Sequence, residues 1–392
     1  MMFKYILGIL PALFNYKLSR IGIIKPRHPI ILNFSITNKC QSRCTTCNIW
    51  QLYEKNPKKE KEELKLWEIE KLFKTMKPVF LLNICGGEPS LRNDLGDICA
   101  LATKYIKPKV IHFPTNCLSP EKVEFVVKDI LAKISKETNL TVKLSLDGIG
   151  ADHDKIRGVE GNFEKLLETH DCLVKIREKN KNFYLDAGTT ISKKNLNKLP
   201  QIIDYVNKNL KLDNFLHEIA DTRAELFNIS DKNCNNHDFK EVVSDLKVTP
   251  RGEQYSSITD YLCEEVKKDM KGKRALSRIT QALRIAYYKR AGKAMKNKKR
   301  VVPCYAGISN AHLNPWGDLW ICNVQAFKKS MGNVKDYNYD FDKLWNSLNA
   351  RKIRKWVKEE HCYCPLVGQA FLDTMMHPIE LIKVLWYYLV YR

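Results

Sequence analysis

A chain of 392 residues is long enough to bury one large α/β core together with a small appended domain. Its 66 lysines and arginines outnumber 44 acidic residues, giving a formal net charge of +22, and it has no repeat or low-complexity tract. Its 13 cysteines, without a secretory signal that ends in a small-residue cleavage site, point to a reducing, cytoplasmic setting and exclude a disulfide framework.

In chain order, Met1–Tyr16 is mostly apolar but holds Lys4 and Pro11. A strand-like run, Ile30–Thr37, is followed at once by Cys40, Cys44 and Cys47, spaced C-x3-C-x2-C. Three thiolates can hold three irons of a cubane cluster and leave the fourth iron open to a small molecule. The alternative is zinc, but a structural zinc site wants four ligands, and neither His112 nor His153 has local spacing that would complete one. The next run, Val79–Cys85, leads into Gly86-Gly87-Glu88-Pro89, and Lys109–Pro114 leads into Thr115-Asn116. Leu140–Leu146 carries Ser145 near its end, and Phe183–Ile191 and Phe215–Ile219 follow. Helix-like segments alternate with these runs at Leu64–Met76, Pro120–Lys136, Phe163–Arg177 and Asn197–Asn209. Such alternation predicts parallel βα units: an α/β partial (βα)6 barrel of TIM type, open on one side for a large substrate. Chemistry in such barrels collects at the carboxyl ends of the strands. Taken singly, the glycines read as a tight turn, Glu88-Pro89 as a helix start and Ser145 as a cap. What sets them apart is their order, one at each successive strand end.

The C-terminal third adds a second cysteine group. From Lys267 to Arg300, fourteen basic residues face a single acid, Asp269, and Leu276, Ile279, Leu283, Ala286 and Tyr287 recur at helical spacing. This reads as a basic amphipathic helix suited to an anionic membrane surface or a polyanion, against the plainer reading of a solvated lysine-rich face. Cys304 precedes a hairpin over Ala311–Cys322, turned at Asn314–Asp318, and Cys362 and Cys364 follow later, so four thiolates can converge. A cluster and a zinc ribbon both suit that set. The cysteines at 85, 99, 117, 172, 234 and 263 have no ligand spacing and read as small buried hydrophobes. The final segment, Ile379–Arg392, is rich in Leu, Ile, Trp and Tyr around Lys383. Neither terminus reaches the roughly 20 apolar residues a bilayer span needs, though both suit the interface. The chain therefore divides into an apolar N-terminal segment (1–27), a core (28–225), a helical basic linker (226–303), a cysteine-rich domain (304–366) and an amphipathic terminal helix (367–392).

Over residues 28 to 225 the motifs resemble, in order, those of the radical S-adenosylmethionine (SAM) enzymes. The resemblance assigns Cys40, Cys44 and Cys47 to a 4Fe-4S cluster with one open iron. It assigns Gly86, Gly87, Glu88, Pro89, Asn116, Ser145 and Arg157 to SAM, Arg157 lying in His153-Asp154-Lys155-Ile156-Arg157-Gly158. Two departures stand out: Cys117 where the family motif has glycine, and Thr46 where an aromatic residue usually packs near the adenine. Cys304, Cys322, Cys362 and Cys364 resemble a reduced SPASM or twitch extension, whose full form has seven cysteines. They imply a second, auxiliary 4Fe-4S cluster. The resemblance further implies reductive cleavage of SAM to a 5′-deoxyadenosyl radical, hydrogen abstraction from substrate, and an external one-electron donor of the flavodoxin or ferredoxin kind. From the basic helix and apolar ends, the expected substrate is a lipid or lipid-linked glycan on the inner face of a membrane, with a peptide as the alternative. Nucleic-acid binding would leave the Gly-Gly-Glu-Pro turn and Ser145 without a role.

Overall fold

The computed structural model describes residues 2–47, 49–220, 248–270, 275–326, 328–359, 362–364 and 366–391, with 2–10 and 275–277 as backbone only. Cys234 and residues 226–247 of the expected linker lie outside them. Six parallel strands follow in order: β1 (Ile31–Thr37), β2 (Leu81–Gly86), β3 (Val110–Thr115), β4 (Asn139–Ser145), β5 (Phe183–Ile191) and β6 (Asn214–Ile219). Each pairs with its predecessor, as the alternating pattern predicts. An N-terminal helix α1 (Met2–Ile21) precedes them; the principal helices between them are α2 (Leu66–Thr75), α3 (Leu95–Tyr105), α4 (Pro120–Lys133), α5 (Ala151–Arg157), α6 (Asn162–Lys179) and α7 (Leu199–Asn209).

Strand residues alternate between two environments, as the period of two requires. Leu32, Phe34 and Ile36, Leu82 and Ile84, Ile111 and Phe113, and Leu140, Val142 and Leu144 are fully buried in one core cluster together with Ile69, Phe73, Ile98, Val127, Ile130 and Leu166 from the helices. The residues between them are polar and bond to one another across strands. Asn83 Nδ2 donates to Asn33 Oδ1 at 2.8 Å, His112 Nδ1 pairs with Asn83 Oδ1 at 2.7 Å, and Lys143 pairs with Glu218 at 3.1 Å. The inner face is thus a hydrogen-bonded lumen, while the oily core lies between sheet and helices.

The sheet does not stop at β1. Strand β7 (Asn310–Leu313) pairs parallel with β1, and β8 (Asp318–Trp320) and β9 (Ser330–Asn333) add antiparallel, so the order is β6-β5-β4-β3-β2-β1-β7-β8-β9. The expected cysteine-rich hairpin therefore continues the core sheet. The physical reason is that β1 would otherwise present an unpaired edge. His312 of β7 reaches into the lumen, its Nε2 2.8 Å from Ser35 Oγ.

At the other edge stand α8 (Gly252–Met270) and α9 (Ala275–Asn297), the second of which holds the expected basic amphipathic helix. Its inner side is a strut, while Lys289, Lys293 and Lys296 form a solvated outer side. Ala282, Ile285, Ala286, Tyr287, Tyr288 and Ala291 are buried, and Arg284 and Arg290 are only 7% and 8% exposed. Arg284 donates to the Phe215 carbonyl at 3.3 Å and Tyr288 Oη to the His217 carbonyl at 3.2 Å, covering acceptors along β6. Arg290 donates to Thr374 Oγ1 and the Ala370 carbonyl, both at 2.7 Å. Lengthwise charge counting misled because two of the cations turn inward to satisfy backbone and hydroxyl oxygens. After α10 (Leu348–Lys358), helices α11 (Val367–Met376) and α12 (Pro378–Val390) complete the layer. Among the described residues no helix is long and apolar enough to cross a membrane.

Candidate active site

The cysteine loop leaves the carboxyl end of β1 and is laid against the C-terminus of α5. Arg43 N and Ser42 Oγ donate to the Arg157 carbonyl, each at 3.1 Å, and Thr45 N donates to the Ile156 carbonyl at 2.8 Å. A helix end leaves carbonyls without intrahelical partners, and here the loop supplies the donors. Gly158 takes a left-handed φ of 70° just past the helix end, and a Cβ there would lie 2.1 Å from the Arg43 carbonyl oxygen.

On the other side lies the turn after β2. Gly87 N donates to the Thr37 carbonyl and Glu88 N to the Lys39 carbonyl, both at 2.8 Å. Gly86 has φ 111°, and a Cβ at either Gly86 or Gly87 would fall 2.1 Å from a backbone oxygen of that same segment. Both glycines are thus demanded by close approach of two backbones.

Glu88 is 1% exposed, and its carboxylate faces the protein. Oε2 accepts from Asn116 N at 2.7 Å, and Oε1 accepts from Ser90 Oγ at 2.6 Å and Ser90 N at 3.2 Å. It clamps the β2 turn to the end of β3, and Pro89 is buried at the start of a short 3₁₀ turn. Burial raises the Glu88 pKa, opposed by those hydrogen bonds. Asn116 holds the cysteine loop from the third side, its Nδ2 3.2 Å from Gln41 Oε1 and 3.7 Å from Cys40 Sγ. The next residue, Cys117, is fully buried at φ 63°, so the position where the family motif has glycine does take the left-handed conformation.

These elements border a cavity of about 190 Å³ that opens to solvent. Cys40, Cys44, Cys47, Gly86, Gly87, Glu88, Asn116, Ser145 and Arg157 all line it; of the residues expected at SAM, Pro89 alone stands outside the lining. Thr46 lines it too, and among the described residues no aromatic ring does, so the usual flat adenine neighbour has no counterpart here. Thr190 of β5 and Glu218 and Ile219 of β6 also line it and carry no motif. The signal that would have found them is their place at strand ends.

Arg157 is the fixed cation of the cavity. Its Nη1 donates to Asp147 Oδ2 at 3.1 Å, while the buried Nε has no hydrogen-bond partner. Asp147 Oδ1 in turn accepts from Thr190 N at 2.7 Å. Burial pushes the Cys40 thiol up to about 12, with Glu88 adding to the rise and Arg157 opposing it. Burial likewise raises Cys47. Thiolates here need positive charge beside them, which iron and Arg157 together would supply. His153 does not join them as a metal ligand: its Nδ1 accepts from Asp147 N at 3.2 Å. Nor does His112, which is tied to Asn83 in the lumen and held uncharged by burial.

The second cysteine group lines its own small cavity, of about 20 Å³, with Cys304, Cys322, Cys362 and Cys364. A second arginine sits among these sulfurs. Arg300 Nη2 lies 2.9 Å from Cys362 Sγ and Nε 2.9 Å from the Cys362 carbonyl. Burial pushes the Cys322 thiol up to about 12, with Cys364 adding to it. Both sets are cysteines without disulfides around a cavity with one part-buried arginine. That donor chemistry fits anionic iron–sulfur clusters, whose bodies hold the thiolates apart.

Residues 34–205 match the radical SAM superfamily model, and residues 304–365 match SPASM, an iron–sulfur cluster-binding domain. The Fe-coproporphyrin III synthase of Methanosarcina barkeri is 28% identical over 188 residues, 47% of this chain and 42% of that protein. The chain thus aligns with less than half of that relative's length. The antilisterial bacteriocin subtilosin biosynthesis protein AlbA of Bacillus subtilis is 21% identical over 354 residues, 87% of this chain and 66% of AlbA. Among solved structures, Streptococcus suis SuiB bound to precursor peptide SuiA shares the fold with a TM-score of 0.55 at 14% identity, over 86% of this chain and 69% of SuiB. With both models matched in order and the thiols gathered at strand ends, the chain belongs to the radical SAM superfamily and carries a C-terminal SPASM domain.

Proposed function

We propose that this enzyme modifies a peptide or protein by radical chemistry, in the manner of SPASM-type maturases. The observation that carries the reading is the polar lumen. Asn33, Asn83, His112, Lys143, Asp186 and Glu218 offer amide, imidazole and charged groups on the inner strand faces. An acyl chain lying there would offer these mutually bonded groups nothing in place of water, whereas a peptide backbone brings its own donors and acceptors. The expectation of a lipid-linked substrate drew on the apolar ends and on the basic helix, of which Arg284 and Arg290 turn inward. The bacteriocin biosynthesis protein AlbA aligns along most of the chain, and SuiB has this fold with a precursor peptide bound.

In this reading Cys40, Cys44 and Cys47 hold the SAM-site cluster, and Cys304, Cys322, Cys362 and Cys364 hold an auxiliary one for electron transfer or structure. When bound, SAM and the reduced cluster supply a 5′-deoxyadenosyl radical that takes hydrogen from an unactivated carbon. Gly86, Gly87, Asn116 and Ser145 line the space for SAM, and Arg157 offers its free Nε to an anionic group there. Glu88 and Pro89 hold the turn in place, so their part is positioning. An external one-electron donor completes the system.

The test is anaerobic turnover with reductant, SAM and either a soluble peptide fraction or a lipid extract of the source cells. The expected result is 5′-deoxyadenosine formation stimulated by the peptide fraction, with a peptide mass change that Cys44→Ala abolishes. Stimulation by lipid alone would overturn the proposal.

A further inference from the structure

Helix α12 shows water an apolar face that no described residue covers. Of the fifteen large hydrophobic side chains exposed among the described residues, seven lie on this one helix: Ile379, Leu381, Ile382, Leu385, Trp386, Leu389 and Val390, at 41–65% exposure. Ile382, Leu385, Trp386 and Leu389 follow the three- and four-residue spacing that places side chains on one face. The opposite side is anchored, with Glu380, Val384 and Tyr387 buried at 4–5% exposure. Four more exposed residues, Phe14, Ile21, Ile23 and Ile24, fall in or just after α1, which packs on α11 through Tyr16, Leu372 and Met376.

Cations predominate around this ridge, although Lys267 pairs with Glu264 at 2.5 Å and Lys383 with Glu380 at 2.6 Å. Lys289 stands over the Tyr387 ring at 5.1 Å, Arg278 over Tyr388 at 4.4 Å and Lys267 over Tyr391 at 5.0 Å. Lys383 projects from α12 itself with half its side chain exposed. The only acid of α12, Glu380, is buried. Leucine, isoleucine and tryptophan on one stripe, bounded by tyrosines that carry cations, form the pattern of a helix lying in a lipid headgroup region. At about 1.5 Å per residue, 13 residues make a rod of about 20 Å, which suits lying flat and not spanning.

We propose that α12 seats this enzyme on an anionic lipid surface, with the ridge about 5–10 Å deep among the acyl boundary and the basic collar at the phosphates. A second copy of the chain fits less well, because a two-fold contact through this helix would set one basic collar against another. Docking goes beyond the peptide chemistry proposed above and is independent of it, since binding can be read without turnover.

The experiment is sedimentation of the full-length holoenzyme with vesicles of phosphatidylcholine, with or without phosphatidylglycerol. Binding is expected to the mixed vesicles and to weaken with salt. The variant Ile382→Asp/Leu385→Asp/Leu389→Asp should bind at least tenfold more weakly. All three side chains are more than half exposed, so its melting temperature and iron content should match the parent. A parent enzyme that stays in solution with anionic vesicles overturns the proposal, as does a variant that binds equally well. A parent dimer that the variant splits, without vesicle binding, would assign the ridge to a second copy and also overturn it.

Discussion

Consider replacing Gly87 by alanine. The added methyl would meet the Lys39 carbonyl oxygen at 2.1 Å, the Lys39 carbonyl carbon at 2.6 Å and the Asn38 carbonyl carbon at 2.8 Å. All three are backbone atoms, so no side chain can swing aside. They belong to the segment that enters the cysteine loop just before Cys40. Relief requires the turn and that segment to separate by about 1 Å, which strains the bonds from Gly87 N to Thr37 and from Glu88 N to Lys39. Two weakened backbone bonds at about 1 kcal/mol each, added to about 1–3 kcal/mol for overpacking, give about 3–5 kcal/mol of lost stability. A displacement of about 1 Å near reacting groups can cost roughly a hundredfold in rate. Urea unfolding and 5′-deoxyadenosine formation measure the two effects separately. The internal control is Gly368→Ala in α11, where a Cβ would meet nothing within 4 Å; it should be neutral or stabilising by up to about 1 kcal/mol. A Gly87→Ala enzyme with an unchanged midpoint and unchanged cleavage of SAM would refute the close-approach argument.

Two further substitutions test particular residues. Cys117 holds a left-handed φ of 63°, which costs a side-chain-bearing residue about 1–2 kcal/mol; Cys117→Gly should therefore be more stable than Cys117→Ala by about 1 kcal/mol in urea, and the reverse order would reject the strain. Burial raises Asp186 from 3.8 to about 6, opposed by the Asn214 hydrogen bond and by Arg284. The unfolded chain thus releases this proton at lower pH than the folded one, so this group's contribution to stability falls as pH rises from about 4 to 6 and stays low above. Asp186→Asn should remove that fall and stabilise the protein by about 2–3 kcal/mol at pH 7. Unfolding midpoints of the two proteins at pH 4.5 and pH 7 should diverge upward, and parallel midpoints would exclude the effect.

The strand ends were legible because a parallel strand buried on one side leaves a regular trace, and the cysteine loop, Gly86, Asn116 and Ser145 each close one. Glu88 carries a motif position, but its task was hidden: its partner amide, at Asn116, is 28 residues away and belongs to the backbone. Arg284 and Arg290 read as surface charge because sequence counts cations without knowing which way they turn. Thr190 and Glu218 have no neighbouring motif to draw attention. The pairing of β7 with β1 was beyond the sequence altogether, since strand pairing leaves no local mark on either partner.

That pairing has a bearing on time. The edge of β1 is completed only when Asn310–Leu313 arrives to meet Ile31–Phe34. At roughly 5–20 residues per second of synthesis, the wait is on the order of tens of seconds. Throughout it, the strand that leads into the Cys40, Cys44 and Cys47 loop stands at the border of an unfinished sheet, its amides open to any extended chain nearby. The second cysteine set begins at Cys304, just ahead of the strand that ends this exposure. Closing the first site's sheet and assembling the second site are therefore consecutive events in the making of one molecule.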